Sequence, residues 1–104
     1  TKVTFANQMY DICQSAGIDY DKVCEYALYD ERIGKSHLAV PGPDGDRGFG
    51  GHCFPKDLAA MINFAFENSA PYSATFLTEV ENYNLLVRTN KDWEKMKGRA
   101  VSDD

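Results

Sequence analysis

A chain of 104 residues is one domain by size and too short for a dinucleotide-binding domain plus a substrate domain. Its 11 Lys and Arg against 16 Asp and Glu leave a formal net charge of −5, which makes nucleic acid and anionic membrane poor partners. Hydrophobic residues at 43% suffice for a small packed core, and no apolar run nears the roughly 18 residues of a membrane span.

Val3, Ala6, Met9, Tyr10, Cys13 and Ala16 recur at three-to-four spacing and predict a first helix that Gly17 stops. No cap precedes this helix, so it is expected to begin upstream of residue 1. Asp19 is a candidate N-cap for a second helix, with Tyr20, Val23, Cys24, Ala27 and Leu28 on one face and an end near Tyr29. From residue 30 to 54 six glycines, with Pro41 and Pro43, break every period. A loop of that length in so small a domain is expected to be an ordered binding loop, since Phe49, Cys53 and Phe54 lie close together in it.

Pro55 suits the first position of a third helix over about 55–68, with Leu58, Met61, Ile62, Ala65 and Phe66 as its stripe. Asn68-Ser69-Ala70-Pro71 reads as a turn. Phe76, Leu77, Val80, Tyr83, Asn84 and Val87 then describe a fourth helix ending near Trp93. The fold class expected is all-α, with 1–94 as one helical domain and 95–104 as a polar tail or linker. Phe64, Phe66, Phe76, Tyr83 and Trp93 do not fit one stripe, so a second copy or further domains are expected to cover apolar surface.

Cys13, Cys24 and Cys53 are odd in number and form no CxxC pair, which argues against a secreted disulfide framework and for a reducing cytoplasm. Thr1 to Phe5 carry neither a basic n-region nor a cleavage site. No signal peptide is expected, and the chain reads as cut from something longer. His37 and His52 lack a second histidine at i+4 or a cysteine at metal spacing, so no metal site is expected.

The run Gly48-Phe49-Gly50-Gly51-His52-Cys53-Phe54-Pro55-Lys56-Asp57 carries the chemistry. Its glycines let the backbone approach a ligand. Cys53 stands just before a helix start, where free N–H groups and the positive end of the macrodipole favour a thiolate, and Lys56 adds positive charge. Asp57, one turn on, could orient or deprotonate a water. The blander alternative is a buried Cys53 and an Asp57 that only complements the helix dipole.

With Asp30-Glu31-Arg32-Ile33-Gly34 and Val40-Pro41-Gly42-Pro43, this run resembles the central domain of the UDP-glucose/GDP-mannose dehydrogenase family, over about residues 1 to 90. The resemblance is closest to the members acting on UDP-glucose. It implies a four-electron oxidation of the sugar C6 alcohol to a carboxylate with two NAD. Cys53 would form a thiohemiacetal and then a thioester, Asp57 would activate the hydrolytic water, and Lys56 would contact NAD or the reacting centre. Leu38, Ala39, Val40, Pro41 and Gly42 would form the sugar-nucleotide loop, Phe49 and Gly50 would line the substrate site with Gly50 against the hexose, and Arg32 would reach a second subunit's substrate. The family's Rossmann domain, and a further lysine and asparagine of its site, would lie upstream of Thr1, so the chain alone should be inactive. Asp44-Gly45-Asp46-Arg47 lengthens the loop beyond the compact pattern of some members. Open alternatives are a dehydrogenase for GDP-mannose or UDP-N-acetylmannosamine, or a helical dimerisation scaffold without its own chemistry. A redox-sensing thiol is a weaker one, because Cys13 and Cys24 sit on apparent core stripes.

Overall fold

A computed structural model describes residues 1–51 and 53–95, and every regular element among them is helical. His52, unassigned on sequence, and residues 96–104 of the expected tail lie outside the described residues. Helix α1, Lys2–Ala16, ends where Gly17 takes φ 70 and ψ 29. The N–H of Ile18 then reaches back to the Cys13 carbonyl at 2.8 Å and that of Gly17 to Gln14 at 3.3 Å, the Schellman arrangement that a left-handed glycine permits. Helix α2, Tyr20–Ala27, is capped by Asp19, whose carboxylate accepts the Asp21 N–H at 2.9 Å. It stops two residues before Tyr29, because the last N–H groups tighten to i−3 bonds, Tyr29 to Tyr26 and Asp30 to Ala27.

Ala6 and Cys13 of α1, Tyr20 of α2 and Val40 form one buried cluster, with Met9, Tyr10, Cys24 and Leu38 against it. Tyr20 meets the Tyr10 ring edge-on at 5.7 Å and donates its hydroxyl to the Leu38 carbonyl at 2.6 Å. The loop that follows α2 is thereby pinned to the first two helices.

Helix α3, Phe54–Glu67, and helix α4, Pro71–Val87, make the most extensive helix pair, joined through Asn68 to Ala70. Pro55 is the second residue of α3, not its first. Ile62 and Ala65 of the expected stripe are buried, but Met61 and Phe66 are more than half exposed. Among the described residues α4 is the helix packed most extensively on α3, and the Met61 and Phe66 edge of that stripe faces outward.

The fourth helix does not continue to Trp93. It ends at Val87, Arg88 turns extended at ψ 126, and a separate 3-10 turn, Asp92–Lys95, buries Trp93. The cause is non-local. Asp46, from the long loop, accepts the N–H groups of Thr89 at 3.2 Å and Asn90 at 2.7 Å, which draws the chain off the helix axis. No helix among the described residues is long and apolar enough to cross a membrane.

Candidate active site

Polar side chains from α1 and α4 hold the segment 44–51 in place. Asn7, buried in α1, accepts the N–H of Gly48 at 3.2 Å and the Arg47 Nε at 3.0 Å through Oδ1. Arg47 also pairs with Asp11 at 2.9 Å, and the Tyr83 hydroxyl bonds the other oxygen of that carboxylate. From α4, Asn84 clamps both main-chain groups of Phe49: Oδ1 accepts its N–H at 2.7 Å, and Nδ2 donates to its carbonyl at 2.9 Å.

Arg88 completes the frame with a guanidinium only 1% exposed. It donates to Asp44 at 2.6 Å and to the Asn90 carbonyl at 2.6 Å, with Asp46 at 3.5 Å and Asp92 at 3.7 Å. The Arg88 guanidinium holds the Asp44 carboxyl below its ordinary value. Burial opposes charge on Asp46, but the N–H groups of Asn90, Thr89 and Arg47 outweigh it and pull this carboxyl down to about 2.

These contacts change the meaning of two glycines. A β-carbon at Gly48, where φ is 67, would overlap the Asn84 amide, and one at Gly50 would overlap the Arg88 guanidinium and the Asp92 carboxylate. Both are read on sequence as room for a ligand; here each also gives room to a side chain of the protein itself. The same segment, together with Arg88 and Asp92, lines a cavity of about 410 Å³ that Ala39, Gly42, Phe49, Gly50, Gly51 and Phe54 help to enclose. His37, at φ 65 with its ring 5.6 Å from Phe54, lines it too.

The expected reactive residues follow this wall in sequence, at the start of α3. Cys53 is the N-cap of α3, its thiol is free and exposed, and its carbonyl accepts the Asp57 N–H at 2.8 Å. Its neighbours Gly51 and Phe54 line the cavity, whereas Cys53, Lys56 and Asp57 do not. Among the described residues Cys53 is exposed and not buried. Lys56 and Asp57, both exposed, pair at 3.6 Å, a contact weak enough to exchange for a ligand.

The remaining expected site residues divide. Ala39, Gly42, Phe49 and Gly50 meet at the cavity. Leu38 and Val40 instead pack in the α1–α2 cluster, so their side chains support the loop from behind, and Pro41 is exposed outside the cavity. Arg32 also stands apart: its guanidinium, 89% exposed, grips Asp30 through bonds of 3.0 and 2.7 Å and holds that carboxyl below its ordinary value. Asn7 and Arg88 are not singled out on sequence, and Asn84 is read there only as part of the α4 stripe. The available signal was a polar residue on an otherwise apolar stripe, as Asn84 is between Val80 and Val87. Among the described residues, no group of three or more His, Cys, Asp or Glu is placed to hold a metal ion.

The family model described as UDP-glucose/GDP-mannose dehydrogenase family, central domain, matches residues 1–85. The chain belongs to this family. It is 30% identical over 106 residues to UDP-glucose 6-dehydrogenase TuaD of Bacillus subtilis (strain 168), across 98% of this chain and 22% of that protein. A UDP-glucose 6-dehydrogenase of Rickettsia bellii (strain RML369-C) is 41% identical over 108 residues, across 98% of this chain and 24% of its own. One of Rhizobium meliloti (strain 1021) is 35% identical over 100 residues, across 96% and 20%. The chain therefore spans about a fifth to a quarter of the length of these relatives. No solved structure matches it.

Proposed function

We propose that residues 1–94 are the helical central domain of a longer cytoplasmic, NAD-dependent dehydrogenase that oxidises C6 of UDP-glucose to the carboxylate of UDP-glucuronate. Residues 95–104 would be its tail or linker. The observation that carries this reading is Cys53, exposed at the N-terminus of α3 and flanked by two residues of the cavity wall, in a family whose relatives here are named UDP-glucose 6-dehydrogenases.

Cys53 adds through its thiolate to the C6 aldehyde carbon, and the aldehyde oxygen takes a proton to give a thiohemiacetal. Loss of a hydride from C6 and a proton from its hydroxyl leaves a thioester on Cys53. Asp57 accepts a proton from the water that attacks the thioester carbonyl, and release of the carboxylate restores the thiol. NAD supplies the acceptor for both hydrides. The described residues form no strand, so the dinucleotide's own fold belongs elsewhere in the parent chain, and Lys56 meets only the edge of that site.

Ala39, Gly42, Phe49 and Gly50 form the sugar-nucleotide wall, backed by Leu38, Val40 and Pro41. Arg32 exchanges Asp30 for a second subunit's substrate. Exposed Phe64, Phe66 and Phe76 supply apolar surface for a homodimer or for the rest of the parent chain. The same surface favours the scaffold alternative, in which Cys53 would be an idle thiol.

The test is NADH formation by the parent protein with UDP-glucose, GDP-mannose and UDP-N-acetylmannosamine offered separately, beside its Cys53→Ala variant. Two NADH per UDP-glucose, with no acid product from the variant, is the expected result. Turnover of another sugar nucleotide would move the substrate, and turnover of none would leave the scaffold.

A further inference from the structure

The geometry points to Asn84 as a positioning residue for substrate affinity, acting through the main chain of Phe49 on the wall of the sugar-nucleotide cavity. This rests on the reading above for the identity of the substrate. Asn84 is buried in α4, and its one amide bonds both the N–H and the carbonyl of Phe49, at 2.7 and 2.9 Å, as a neighbouring strand would. An asparagine is suited to this because it offers an acceptor and a donor side by side on a short stem. Aspartate lacks the donor, leucine lacks both, and glutamine places them one methylene further out.

The fit is enforced from the loop side as well. Gly48, at φ 67, leaves no space for a β-carbon against the Asn84 amide. The Phe49 ring is buried and meets Phe54 edge-on at 6.1 Å. Phe49 also lines a second cavity of about 240 Å³, with Asn84 and Trp93, between α3 and α4. Phe49 thus stands between that space and the 410 Å³ cavity, and its depth decides how the volume is shared.

Cys53 is held differently, by the first turn of α3 through its own carbonyl and the Asp57 N–H. Loss of the Asn84 clamp therefore acts first on the binding wall and reaches the thiol only through the contact of Phe49 with Phe54. In the parent enzyme, Asn84→Leu leaves both main-chain groups of Phe49 without their partner and is expected to raise KM for UDP-glucose about tenfold. Its kcat is expected to stay within about threefold of wild type. Gly48→Ala presses on the same contact from the loop and is expected to raise KM in the same way.

A lower maximal rate at unchanged KM marks a residue that only stabilises the fold, and overturns the proposal. If Asn84→Leu does not fold, Gly48→Ala decides alone, and an unchanged KM there overturns it equally. If the wild-type parent does not turn over UDP-glucose, the functional reading falls, and amide exchange of Phe49 decides the positioning role. Slow exchange in wild type that quickens in Gly48→Ala supports it; fast exchange in wild type overturns it.

Discussion

The segment 44–51 and the start of α3 are adjacent in sequence and opposite in construction. The first is held by buried Asn7, Asn84 and Arg88, each bonded to main chain or carboxylate groups more than two residues away. The second carries Cys53, Lys56 and Asp57 on exposed side chains, with one ion pair among the described residues, between the neighbours Lys56 and Asp57. Buried polar contacts fix the backbone of the cavity wall. The candidate reactive groups stay exposed among the described residues. The same contrast separates the α1–α2 cluster, closed around Tyr20, from the aromatic faces of α3 and α4, where Phe66 is 60% and Tyr72 90% exposed.

If that contrast is right, stability resides in the clamp and reactivity at the start of α3. The largest expected effect is Arg88→Ala, which leaves Asp44, Asp46 and Asp92 without their shared cation and should cost about 3 kcal/mol in urea unfolding. A loss below about 1 kcal/mol would erase the distinction. Gly50→Ala forces a β-carbon against the same guanidinium and should cost about 2 kcal/mol.

Acid should weaken the clamp next. Asp46 titrates near 2 in the folded protein against about 3.9 unfolded, so its contribution is complete above about pH 4 and lost as pH falls toward 2. Asp44 and Asp11, also held below their ordinary values, act in the same direction. A melting temperature flat from pH 5 to about 2 would contradict this. The smallest effect belongs to the start of α3: Cys53→Ala, at an exposed position, should leave stability within about 0.5 kcal/mol of wild type.

Local signals made much of the fold legible. Gly17 and Asp19 announce the two caps between α1 and α2, and Pro55 lies within the first turn of α3. The end of α4 was not legible, because an apolar period runs on through Val87 while the residue that unwinds the chain, Asp46, lies about forty positions earlier. For the site, the sequence run 48–57 points to the exposed cysteine at a helix start. It cannot reveal that Gly48 and Gly50 make room for Asn84 and Arg88, since those partners are set only when α4 packs beside the loop. Nor does spacing distinguish Val40, which enters the core, from Ala39, which faces the cavity.

In the proposed reaction Cys53 carries the sugar covalently and Asp57 releases it. The most direct measurement is peptide mass analysis of the parent protein's Asp57→Asn variant, acid-quenched after incubation with UDP-glucose and NAD. A UDP-glucuronyl thioester is expected on the Cys53 peptide, released by hydroxylamine and absent when Cys53→Ala is added. Acid product formed at the wild-type rate with no adduct on Cys53 would contradict it.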